Sequence, residues 1–228
     1  EDVLQIATMA KRVIETGRQV SGRRDIRCTV SIGGFVPKPH TPFQWAAQLS
    51  ARATDERLRL LRDTIRADRR YAAAIGFRYH DGQPGIVEGL LSRGDRRVGA
   101  VIEAVWRDGG RFDGWSEHFS FERWMRAADE AFAGSPVSVD WFTTRERDRL
   151  EVLPWDHIDS GLDRDWLWED WQAALGEHEV ADCRWSGCFD CGVCPEMGTQ
   201  IEMGPTGRTL LPLSVPTSAR AGLLASSP

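Results

Sequence analysis

Cys183, Cys188, Cys191 and Cys194 fall within twelve residues of the string DCRWSGCFDCGVCP, spaced C-x4-C-x2-C-x2-C. Thiolates at that density bind a metal or a cluster, or exchange electrons. The run from Cys188 to Pro195 has ferredoxin-type spacing, with Cys183 available as the fourth ligand of a [4Fe–4S] cluster. Gly187 and Gly192 let the backbone turn tightly around a metal. Zinc also accepts four thiolates, usually from separate C-x2-C knuckles. Here the pairs overlap in one loop. The spacing therefore ranks an iron–sulfur cluster first, structural zinc second and a thiol redox site third. Cys28 stands apart in IRCTVSI and is expected to be a buried small hydrophobe.

Three other segments carry residues with chemical potential. The loop Phe35–Trp45 contains Pro37, Pro39 and Pro42, which fix a rigid path and present Lys38, His40, Thr41 and Gln44. Lys38 or His40 suits the carboxylate, ribose or phosphate of a ligand; the competing reading leaves these side chains merely solvated. Arg93, Arg96 and Arg97 surround Gly94 and Asp95 in a turn that leads into a helix, an anion-binding candidate for phosphate or RNA backbone. The same run also reads as an Arg/Asp ion-pair network joining two helices. Asp156, His157 and Asp159 lack regular ligand spacing, which favours a structural role.

These segments need elements to hold them. Apolar residues from Val3 to Ile14 share one helical face, with Gly17 as the expected stop. Residues 25–32 read as a strand and 74–80 as a second, short one before the Asp81-Gly82 turn. A helix over 54–70 is expected, capped by Thr54. Helical spacing recurs over 85–91, 95–107, 121–132, 138–149 and 163–175, with Ser120 capping the third of these. A parallel-type strand alone leaves its backbone groups unpaired, so strand 25–32 needs partners. Residues 204–228 are rich in Gly, Pro, Ser and Thr and are expected to be a flexible tail.

The net charge of −5 is unevenly spread, because residues 1–100 carry 18 Lys/Arg against 11 Asp/Glu. The acidic second half argues against a broad nucleic-acid surface. Acidic residues also surround the cysteines, so a zinc-stabilised module there suits a protein partner better than RNA. There is no apolar run long enough for a membrane span and no secretion signal, so a cytoplasmic location is expected. The ten tryptophans are expected to fill core gaps or line a groove. Residue 1 is Glu and the first Met is Met9, so the chain is expected to be a piece of a longer one.

Taken in order, VSIGGFVPKPHTPFQW, VEGLLSRGDRRVGAVIEAVW, GGRFDGW, LPWDHIDSGL and DCRWSGCFDCGVC resemble the C-terminal part of a cobalamin-binding radical SAM protein family. The resemblance covers roughly residues 1–196. It implies an α/β fold in which residues 1–80 end a partial (β/α) TIM barrel. Residues 81–176 would form a helical extension and 177–203 a Cys-rich cluster-binding segment. In such barrels active sites lie at the C-terminal ends of strands, which makes Lys38, His40, Thr41 and Gln44 a substrate- or SAM-adjacent loop. The family's C-x3-C-x2-C motif, early barrel strands and cobalamin domain would lie upstream, as partners within one parent chain. The spacing at 183–194 departs from that motif, so these residues alone are not expected to cleave SAM. SAM and cobalamin are cofactors implied for the parent enzyme.

Overall fold

The computed structural model describes residues 2–79 and 81–200. The tail expected over 204–228, and the last residues of the segment 177–203, lie outside the described residues. The chain forms two compact units, Glu1–Ile158 and Asp159–Pro228. That division differs from the expected boundaries after residues 80 and 176, because contacts reaching from the 142–155 region back to residues 44–48 hold the first unit together.

In the first unit, α1 (Asp2–Ser21) runs past the expected stop at Gly17. Gly17 instead gives room to a neighbour, since a Cβ there would lie 3.0 Å from Ile26 Cγ2. The helix ends at Gly22, whose φ of +71° places it in the left-handed region glycine favours. Strand β1 (Cys28–Ile32) is shorter than expected, because its pairing with residues 75–79 begins at Cys28. Its partner comes from within the chain: β2 (Ile75–Tyr79) pairs with it in parallel, from Cys28↔Ile75 to Ile32↔Tyr79. The crossover between them carries a 3-10 turn (Pro42–Trp45) and α2 (Ala51–Ala67). Ser50, not Thr54, caps α2, its Oγ accepting the Ala53 N–H at 3.2 Å.

Period-two alternation gives the small sheet two unlike faces. Val30 and Ile75, with the half-buried Cys28, Ile32 and Phe77, pack on Ala7, Ala10 and Ile14 of α1 and Leu61 and Ile65 of α2. Cys28 is thus only partly buried, contrary to expectation. Thr29, Ser31 and Arg78 on the other face are exposed. The described residues make a mixed α/β arrangement with a two-stranded parallel sheet, and they close no barrel.

A second apolar core joins α3 (Gly82–Arg93), α4 (Val98–Arg107), α5 (Phe121–Ala131) and α6 (Val139–Thr143). Leu90, Val101, Ala128 and Phe142 sit at its centre, fully buried, with Trp124 beside them. Ser120 and Ser138 cap α5 and α6. The helix expected over 138–149 stops at Thr143, where the chain turns so that Arg145 and Arg147 reach inward. Trp45, Trp124, Trp155 and Trp171 fill cores as expected, whereas Trp106, Trp115 and Trp185 are exposed.

The second unit holds α7 (Arg164–Leu175), capped by Asp163, and two short helical turns, α8 (Cys183–Ser186) and α9 (Val193–Glu196). No helix among the described residues is long and apolar enough to cross a membrane.

Candidate functional site

A cavity of about 410 Å³ opens beyond the C-terminal end of β1. Its floor is the backbone from Ile32 to Val36, and its walls are the first turns of α2 and α3. Asp55 of α2 clips these walls together, accepting the Gly82 N–H at 2.9 Å. At that junction a Cβ on Gly82 would lie 2.6 Å from Ala51 Cα, so glycine is needed for the approach. Mostly apolar residues line the cavity, with Gln48, Thr54, Arg57, Asp81 and Glu88 as its polar side chains. A parallel strand end with an apolar hollow and a few polar groups is where α/β proteins commonly hold ligands.

Lys38, His40, Thr41 and Gln44 do not line this cavity. Lys38 pairs with Glu88 at its edge. Thr41 Oγ1 donates to the Lys38 carbonyl at 2.8 Å. His40 sits at φ +53°, and its N–H donates to Gln44 Oε1 at 3.2 Å. Gln44 is buried, and the same oxygen accepts Trp155 Nε1–H at 2.7 Å. The loop therefore enters the cavity through Phe35 and Val36, while its predicted polar residues lie outside it, Lys38 reaching only as far as Glu88 on the lining. Arg57 escaped sequence reasoning because a helical pattern reads it as an ordinary exposed face, and Thr54 because the same pattern reads it as the helix cap. The two glycines ahead of the loop, Gly33 and Gly34, were the available signal.

Arg93, Arg96 and Arg97 separate in space. Arg93 is fully buried, and its guanidinium donates to Thr143 O at 3.3 Å and Gln44 O at 3.4 Å. Arg147, equally deep, donates to Arg93 O at 2.9 Å and Phe142 O at 3.1 Å and lies 5.1 Å from the Trp155 ring centre. Burial pushes both guanidinium pKa values down to about 10, and for Arg93 the neighbouring Arg147 charge adds to this. Glu151 supplies counter-charge: it binds Arg145 through two hydrogen bonds of 2.7 and 2.5 Å and lies 3.9 Å from Arg147. Arg93 is thus a staple of the core, not an anion ligand. Arg96 and Arg97 remain exposed.

The four cysteines occupy the second unit. Cys188 is exposed and the other three are half-buried. The Asp190 N–H donates to Cys188 Sγ at 3.4 Å. Left-handed backbone at Asp190 and positive φ at Gly187 and Gly192 make the turns that bring this about. The Cys191 carbonyl accepts the Asp163 N–H at 2.8 Å, and a Cβ on Gly192 would sit 2.7 Å from Gly161 O. The C-x2-C turn is therefore seated on the start of α7. Among the described residues no three His, Cys, Asp or Glu side chains converge on one point. The Cys188 thiol in turn donates to Asp190 Oδ1 at 3.6 Å, and four cysteines in one loop are the donor type that a thiolate-bound centre uses.

The chain matches no family model, no curated protein and no solved structure.

The arrangement offers a preformed hollow at a strand end and a cysteine-rich turn, each in its own unit. His157, Asp156 and Asp159 form no common ligand sphere. Asp156 Oδ2 accepts the Leu153 N–H at 2.8 Å, and Asp159 Oδ1 accepts the Gly161 N–H at 2.8 Å, so both carboxylates shape turns.

Proposed function

We propose that this chain is the C-terminal portion of a cobalamin-binding radical SAM enzyme, with Cys183, Cys188, Cys191 and Cys194 holding an auxiliary [4Fe–4S] cluster. The observation that carries the reading is the C-x4-C-x2-C-x2-C run with an amide directed at Cys188 Sγ. The parallel β1–α2–β2 unit supports the further proposal that residues 1–80 end a partial (β/α) barrel. In that setting the cavity beyond β1 borders SAM or substrate, and Lys38 with Glu88 forms its rim. The SAM-cleaving cluster, the cobalamin domain and the remaining barrel strands belong to the rest of the parent chain. When bound, the auxiliary cluster supplies electron transfer or anchors a substrate. The protein's part is to fix the Cys188–Cys191 turn against α7 and keep its sulfur near a donor.

Anaerobic purification followed by metal and sulfide analysis tests this. About four iron and four sulfide per chain are expected, with a broad absorption band near roughly 400 nm that Cys188→Ser and Cys191→Ser abolish. One zinc per chain and no colour would replace the cluster with a structural zinc site. Full iron content in every cysteine variant would overturn the ligand assignment.

A further inference from the structure

The runs LSRGDRR and PWDHID are far apart in sequence, but they meet at a second cavity, of about 590 Å³, in the first unit. Asp95, Arg96 and Arg97 form one wall, Pro154 and His157 the other. The proposed function uses none of these residues.

Arg97 is held in place. Its Nε lies 3.0 Å from both Asp95 carboxylate oxygens and its Nη2 lies 2.5 Å from Oδ2, and it stacks within 5.6 Å of the Trp141 and Phe142 ring centres. The Asp95 carboxyl is correspondingly held below its ordinary range, first by the Arg97 hydrogen bond. Its negative charge is therefore matched within the wall, by Nε and Nη2 of Arg97, so that Nη1 is the Arg97 donor left for a ligand. Arg96 and His157 differ: neither side chain has a hydrogen-bond or ion-pair partner among the described residues. The amides of Val98, Gly99 and Ala100 are bonded to carbonyls of residues 95–97, so the start of α4 offers the cavity little and binding must come from side chains. Behind the wall, Arg93, Arg145 and Arg147 lie near the carboxylate of Glu151, and Arg147 also feels that of Asp95, so three buried or half-buried cations face two carboxylates, one of them already paired with Arg97. That excess of fixed positive charge favours an anion in the hollow.

We infer that this cavity binds the phosphoryl group of a small phosphate ester, gripped by Arg96 and Arg97 on one wall and by His157 on the other. Guanidinium groups match phosphoryl oxygens in charge and geometry. Imidazole has an N–H to donate in either protonation state. Donors on two walls suit a tetrahedral anion better than a planar carboxylate, and the volume leaves room for the ester's body beside Pro154.

Inorganic phosphate is the probe, added to the 228-residue chain at constant ionic strength while the side-chain N–H signals of Arg96, Arg97 and His157 are followed by NMR. Saturable shifts at all three are expected, with chloride giving none. Arg96→Gln, at an exposed position, should weaken phosphate binding about tenfold, and His157→Gln should also weaken it. Arg107→Gln, which removes an exposed arginine paired with Glu103 on the same helix, should leave it unchanged. Shifts no larger than those caused by chloride, or equal affinity in Arg96→Gln and the parent chain, would overturn the assignment.

Discussion

Glu151 is a single carboxylate serving an inward-turned arginine cluster. Arg145 grips both of its oxygens, and Arg147 lies 3.9 Å away without an ideal hydrogen bond. The Arg145 hydrogen bonds hold the Glu151 carboxyl below its usual 4.5, against the opposing effect of partial burial. A carboxyl whose pKa is lower in the folded than in the unfolded chain contributes stability that is complete above the unfolded value. That contribution is lost as the pH falls through the folded value. Glu151→Gln should therefore lower stability at pH 7 by about 2 kcal/mol, since it strips counter-charge from buried cations. The difference from the parent chain should shrink as the pH drops below about 4.5. Denaturant titrations of both proteins across that range decide the matter. A deficit of the same size at low and neutral pH would show that Glu151 acts by packing and not by charge.

At the scale of elements, the start of α2 shows what sequence reasoning reads well and where it slips. Ser50 and Thr54 are both competent caps by residue type, and Asp55 and Glu56 beside Thr54 favoured the later start. The fold begins the helix at Ala51, and Asp55 turns to the Gly82 N–H instead. Ser50→Ala should cost about 1 kcal/mol in thermal or urea unfolding, and Thr54→Ala nearly nothing. The reverse order would restore the later start. Ser120 was legible as a cap because its neighbours offer no rival. Gly17 was misleading as a stop because its meaning is tertiary: it gives room to Ile26. The 138–149 helix failed for a related reason, since buried carbonyls draw Arg147 inward beyond Thr143. Local patterns thus disclosed which elements exist, while their ends were set by partners distant in sequence. The same holds for the sites. The cysteine run was visible from spacing alone, but neither the separation of Arg93 from Arg96 nor the meeting of Arg96 with His157 could be read before the chain was folded.

For the molecule as a whole, the two compact units carry different sources of stability. The first has two apolar cores, built on Leu61 and Ile14 and on Leu90 and Val101. In the second, Leu167 and Trp171 are the buried apolar residues of α7, and neither turn on the cysteine run buries a residue. Where the described residues bury so few apolar side chains, added constraints matter, and a ligand that binds only the folded form supplies one. The Asp163 N–H bonded to the Cys191 carbonyl makes the first turn of α7 the place where such a constraint is felt. Loading the cysteines with iron–sulfur cluster or zinc should therefore slow amide hydrogen exchange at Asp163 and Leu167. At saturation near 100 times the dissociation constant, about 2.7 kcal/mol of added protection is available, or roughly a hundredfold in exchange rate. Cys191→Ser should remove the gain while leaving the metal-free exchange rates of α7 unchanged. Slower exchange on loading that persists in Cys191→Ser would mean that metal acts elsewhere in the chain. Equal exchange with and without metal in the parent protein would mean that the cysteine run and α7 are uncoupled, and that the turn seated at Asp163 holds its place without a ligand.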